Sequence, residues 1–83
     1  MSISMLDAEK RIINILESYG IIDPGKVLPH SRFNDLGMDE LDVIDFIERV
    51  EREFGIVISD VDVNEFTTSD QVASYVSKRS DAR

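Results

Sequence analysis

The sequence predicts an all-α fold on three observations. Residues 5–19 and 40–54 each carry apolar side chains at the period of an amphipathic helix, with a capping residue ahead and a glycine behind. The one tract with strand propensity, Ile56-Val57-Ile58 after Gly55, has no second run to pair with, and a lone strand does not stand by itself. At 83 residues and 42% apolar content, the chain holds one small core, so the helices must bury their stripes against one another. A single domain over residues 1–83 follows.

Ser4-x-x-Asp7 marks the start of the first helix and Gly20 its stop. At about 100° per residue, Met5, Ala8, Ile12, Ile15, Leu16 and Tyr19 share one arc, flanked by Leu6 and Ile13. Asp7, Lys10, Asn14, Glu17 and Ser18 lie away from it. No period holds over residues 21–38, where Pro24-Gly25 and Pro29 mark a loop that is long for so small a domain. His30, the only histidine, has no catalytic companion and reads as a surface loop residue.

The second helix is introduced by Asp35-Leu36-Gly37-Met38-Asp39-Glu40-Leu41-Asp42. Asp39 fits the N-cap, where its side chain accepts from an orphaned backbone N–H, and Glu40 and Asp42 meet the positive end of the helix dipole. The helix should run over 40–54 and stop at Gly55, burying Val43, Phe46, Ile47, Val50 and Phe54. Leu41 and Ile44 project elsewhere, beside Glu40 and Glu48, and apolar residues framed by acids predict a contact patch. Residues 55–58 form an extended connector that buries Ile56 and Ile58. Ser59 or Asp60 caps a short third helix through about Phe66. Thr68-x-x-Gln71 is a capping box for a last helix with Val72, Tyr75 and Val76 inward. Residues 77–83 are polar and expected to fray, leaving a core of about 4–79.

Charge narrows the function. The chain carries a net −8, with a pI near 4.4. Phosphate backbones and anionic membranes repel such a surface, so nucleic acid and membrane are not expected partners; a basic protein surface is. Residues 35–53 concentrate eight acids against Arg49 and Arg52, a net −6 on one helix and its entry. With no cysteine there is no disulfide, thiol or thiolate metal site. Asp60-x-Asp62-x-Asn64 opens like a calcium loop, but Glu65 replaces the turn glycine and Gln71 the bidentate glutamate, so no metal site is assigned. No nucleophile, base and orienter can be assembled, and no enzyme activity is expected. The first ten residues lack an apolar leader segment and no run reaches membrane-span length, so a cytoplasmic monomer is the expectation.

Residues 35–42 strongly resemble the D-L-G-x-D-S-L-D signature of acyl carrier proteins, matching every position but one. The likeness runs from about Leu6 to Val76. It includes Phe33, Glu51-Arg52-Glu53-Phe54-Gly55, Ile58-Ser59-Asp60 and Phe66-Thr67-Thr68. It implies an acyl-carrier-protein-like four-helix bundle: three long helices, a short third, and a long loop between the first two, pinned to the core by Phe33. It also implies an acyl cavity near Phe46, Ile47, Val50, Phe54, Ile58, Val72 and Tyr75.

In that family the serine opening the second helix carries 4′-phosphopantetheine, and here that position is Glu40. A carboxylate is a weak nucleophile toward the phosphate of coenzyme A, and the mixed anhydride it would form is cleaved by water. No 4′-phosphopantetheine cofactor is therefore expected on Glu40. The resemblance places a partner-binding face at Asp39, Leu41, Asp42, Ile44 and Asp45, directed at basic patches on enzymes of acyl metabolism. Glu48 joins that face where the family usually has an apolar residue. The leading expectation is a non-catalytic docking module that is not acylated. One alternative is a genuine acyl carrier protein of fatty-acid or polyketide-type metabolism whose attachment serine is substituted at Glu40. Another is an acidic regulatory bundle unrelated to acyl chemistry.

Overall fold

A computed structural model describes residues 3–20 and 30–83 and is helical, with no strand among them. Four α-helices follow in order: α1 (Met5–Glu17), α2 (Glu40–Phe54), α3 (Asp60–Val63) and α4 (Ser69–Ser77), with a short 3-10 turn, Asn34–Leu36, ahead of α2. The architecture is the expected bundle of three longer helices and one short third. Pro24, Gly25 and Pro29 lie outside the described residues.

α1 begins where Ser4 accepts from the Asp7 N–H at 3.1 Å. It buries Ala8, Ile12 and Leu16, with Ile15 and Tyr19 packed partly against the same core. Its end differs from the expectation: helix stops at Glu17 rather than near Gly20. The Ser18 hydroxyl donates to the Ile15 carbonyl at 2.6 Å, and the Ser18 and Tyr19 N–H groups tighten onto Ile15 and Leu16. A side chain competing for a last-turn carbonyl ends the regular ladder early.

α2 occupies the predicted span. Gly37 turns the chain at φ 82° and Asp39 caps. The cap is reciprocal: the Asp42 N–H donates to Asp39 at 2.9 Å, and the Asp39 N–H donates to Asp42 at 3.0 Å. Two orphan donors are satisfied at once. Phe46, Ile47, Val50 and Phe54 are buried, and Val43 packs at the edge of the core. Gly55, at φ 66°, closes the helix with its N–H on the Glu51 carbonyl. Ile56 and Ile58 then point inward and Val57 outward, as their alternation predicts. Glu51 holds this connector by accepting from the Ile58 N–H at 2.8 Å.

α3 is shorter than expected. It ends at Val63 and gives way to a turn in which the Phe66 N–H reaches the Val63 carbonyl at 3.2 Å. α4 has the predicted capping box, with Gln71 accepting from the Thr68 N–H at 3.2 Å. α1 packs chiefly on α4 and then on α2, around Ile12, Leu16, Phe46, Val50, Phe54, Val72 and Val76. Each such side chain, fully buried, contributes about 1.5–3 kcal/mol. Phe33 fulfils its predicted role: it is buried, its ring lies 5.5 Å from that of Phe46, and its N–H donates to the Thr67 carbonyl at 3.0 Å. His30 is exposed, as predicted.

The C-terminal residues do not fray. Ala82 is 3% exposed, and the Arg83 N–H donates to the Phe54 carbonyl at 2.9 Å. Arg11 donates to Glu53 at 2.8 Å and to the Arg83 main-chain oxygen at 2.9 Å, with its guanidinium 4.2 Å above the Phe54 ring. One arginine thus ties α1, the end of α2 and the last residue together.

Candidate functional site

The candidate site is the entry and outer side of α2. Glu40 is its first residue and is exposed. Beside it lies a cleft of about 210 Å³, walled by Val43 and Ile44 of α2, by Val63 of α3, and by Asn64 and Phe66 beyond it. A second cleft of about 190 Å³ shares Ile44 and Val63 and continues past Ile47, Glu48, Glu51 and Ile58. The floor is aliphatic and the rim acidic. Of the residues implied near an acyl cavity, Ile47 and Ile58 line this cleft. Phe46, Val50, Phe54 and Val72 are fully buried in the core, and Tyr75 stands half-buried beside Phe66.

Among the expected face residues, Leu41 is 74% exposed, Ile44 44%, and Glu48 is exposed. Asp39 and Asp42 sit at the entry but are engaged in each other's backbone. Asp45 departs from the expectation of a free surface acid. The Tyr19 hydroxyl donates to it at 2.6 Å, and Arg49 pairs with it at 3.1 Å. These two groups, the tyrosine hydroxyl foremost, hold the Asp45 carboxyl below the usual aspartate range. Burial, reinforced by the bond to Asp45, pushes the Tyr19 phenol well above its ordinary value. Asp45 therefore belongs to the α1–α2 seam, where Arg49 also lies 4.6 Å above the Tyr19 ring and donates to Ser18 at 3.2 Å.

The Asp45–Arg49 pair has the i,i+4 spacing of one helix face; the contact from Tyr19, just past the end of α1, has no such local signal. Two further aliphatic residues are exposed, Val57 at 77% and Val61 at 71%. Val57 follows from the alternation of the connector, whereas no period marks the outward side of the tract around Val61. Among the described residues no group of three or more His, Cys, Asp or Glu is placed to hold a metal ion. No helix among them is long and apolar enough to cross a membrane. The chemistry available at position 40 is that of a carboxylate at a helix start. It lacks the hydroxyl oxygen that forms a phosphodiester, so the residue present does not fit covalent attachment of a phosphopantetheine arm.

The pattern of the family described as "Phosphopantetheine attachment site" matches residues 10–76. The chain is 43% identical over 84 residues to a putative mitochondrial acyl carrier protein of Schizosaccharomyces pombe, an alignment covering 99% of this chain and 75% of that protein. This chain belongs to the acyl carrier protein family. It is also similar to the mitochondrial acyl carrier protein of Dictyostelium discoideum, 34% identical over 82 residues, covering 99% of this chain and 68% of the relative. Acyl carrier protein 2, mitochondrial, of Arabidopsis thaliana is 30% identical over 74 residues, covering 88% of this chain and 59% of the relative. The family is one of carriers rather than catalysts, in keeping with the absence of an expected enzyme activity.

The family finding corrects one expectation. All three relatives are named mitochondrial, which overturns the cytoplasmic assignment and points to mitochondria. The reason is physical. Net charge describes how an acidic helical domain meets water, and water is the solvent in both compartments, so composition does not choose between them.

Proposed function

We propose that this chain is an acyl carrier protein of fatty-acid-type metabolism in which Glu40 takes the family's attachment position. The observation that carries this reading is the likeness to named acyl carrier proteins across nearly the whole chain. An acidic regulatory bundle unrelated to acyl chemistry would not be expected to share it. In the sequence as it stands the chain bears no 4′-phosphopantetheine on residue 40 and forms no thioester there. What remains is the protein's other contribution, a docking surface for basic patches on enzymes of acyl metabolism. Glu40, Leu41, Ile44 and Glu48 supply it, with Asp39 and Asp42 holding the helix entry rigid. Neither nucleic acid nor membrane is proposed as a partner, and the chain is proposed to act as a monomer.

A second reading is favoured by one observation, the exposed carboxylate at Glu40. On that reading the chain is a dedicated docking module that has given up acylation. Incubation with coenzyme A and a broad-specificity phosphopantetheinyl transferase separates the two. Glu40→Ser supplies a hydroxyl at the exposed start of α2, and losing a first-turn charge costs only about 0.3–1 kcal/mol. The carrier reading expects the variant to gain one phosphopantetheinyl group by intact mass. A folded variant that stays unmodified means the surface read by the transferase has diverged as well, and only the docking module survives.

A further inference from the structure

α3 contributes no buried residue to the core: Asp60 and Val61 are exposed, and Asp62 and Val63 are half-buried. A single turn with so little buried apolar area belongs to the least stable part of a fold. Yet this turn, with Asn64 and Phe66 beyond it, walls the cleft beside Glu40. Val63 and Phe66 pack only partly against the core, and the rest of the attachment is polar. The Tyr75 hydroxyl of α4 donates to Asp62 at 2.9 Å. Arg79 donates to the Tyr75 oxygen at 2.9 Å and to the Val57 carbonyl, on the connector entering α3, at 3.0 Å. Both Asp81 oxygens hold the Arg79 guanidinium, at 2.8 and 2.7 Å, and fix where it points. The Phe66 ring meets the Tyr75 ring edge-on at 5.4 Å.

We propose that the Asp62–Tyr75–Arg79 chain is a latch that sets how far α3 stands from α2 and so how open the cleft is. Donation from Arg79 polarises the tyrosine hydroxyl and strengthens its bond to Asp62, so the three act as one connection. While it holds, α3 keeps Val63 against the α2 wall. When the Tyr75–Asp62 bond breaks, the hydrophobic effect has little area with which to retain the turn, and the aliphatic floor becomes accessible. The latch does not depend on the carrier reading; only the use made of an open cleft does.

Amide hydrogen exchange tests it in Tyr75→Phe and Asp62→Asn. Exchange over residues 57–66 should accelerate about tenfold, the scale of one charge-assisted hydrogen bond, with α1 and α2 unchanged. Because the chain has no cysteine, Val63→Cys supplies a single thiol on the cleft wall. Its rate of maleimide labelling should rise about as much when Tyr75→Phe is added. Tyr19→Phe, which removes a comparable bond between α1 and α2, should leave both readouts at their starting values. Unchanged exchange at 57–66 together with unchanged labelling overturns the latch. So does acceleration spread evenly over all helices, which would mark ordinary loss of stability.

Discussion

Asp45 is an acid on the outer half of an acidic helix, yet its carboxylate is committed to Tyr19 and Arg49. Its folded-state pKa is depressed, chiefly by the tyrosine hydroxyl. The sign of the consequence follows from linkage. The stabilisation is fully present above the unfolded aspartate value of about 3.9 and is lost as pH falls through the lower folded value. An NMR titration of the Asp45 carboxyl should therefore have its midpoint below that of an unfolded aspartate. Tyr19→Phe should move the midpoint up and flatten the loss of stability between about pH 5 and pH 2. A midpoint indifferent to Tyr19→Phe would detach Asp45 from the seam and return it to the free outer face. Glu48, exposed one turn away, has the better claim to docking. Glu48→Lys with Leu41→Ala should weaken binding to a basic carrier-modifying enzyme and reduce the salt dependence of that binding, with the helical circular dichroism unchanged. Binding unaffected by the pair would remove the outer side of α2 from the proposed surface.

At the scale of elements, α2 depends on its ends. Asp39→Ala breaks the reciprocal cap with Asp42 and should cost about 1 kcal/mol in denaturant unfolding. Gly55→Ala forces an L side chain into the left-handed region, about 1–2 kcal/mol. Its Cβ would also come within 2.6 Å of Arg83 Nε. A cost near zero for either would show that the helix end is set elsewhere. These ends were legible because each is written within a few residues: Asp39 as a cap, Thr68 with Gln71 three residues on, and Gly55 at the stop; that Asp42 returns the cap to Asp39 came only with the structure. The buried stripes of α1, α2 and α4 were legible for the related reason that period places them, except at Met5, which shares the arc of α1 but is 37% exposed in its first turn. What could not be read arises between elements or from competition within one. The early stop of α1 turns on which acceptor the Ser18 hydroxyl takes. The brevity of α3 reflects how little of it is covered, and Asp45, though half-exposed, is tied to the α1–α2 seam because Tyr19, just past the end of α1, reaches it. Residues 77–83 looked free because their partners, Phe54 and Arg11, are far away in sequence.

Across the whole molecule, two long-range features shape stability. One is the docked C-terminus. Removing residues 81–83 exposes the space under Ala82, frees Arg79 from Asp81 and cuts the Arg83–Phe54 bond. A loss near 1 kcal/mol in a domain of this size lowers the melting temperature by about 4–8 °C, which differential scanning calorimetry resolves. The other is the net −8 and its concentration around α2. Self-repulsion of that kind is relieved by counterions, so added salt should raise the melting temperature, with millimolar Mg²⁺ stronger at matched ionic strength. A stoichiometric, calcium-selective response would instead point to a defined site, which the Glu65 and Gln71 positions argue against.

The central claim is that this chain has the carrier fold but, with Glu40 at the attachment position, no residue that takes up a phosphopantetheine arm. The most direct measurement is the intact mass of the unmutated protein, purified from its own host and then incubated with coenzyme A and a phosphopantetheinyl transferase. The account predicts the mass of the bare polypeptide before and after incubation. A mass higher by one phosphopantetheinyl group, mapped by peptide analysis to another hydroxyl such as Ser31 or Ser59, would contradict it.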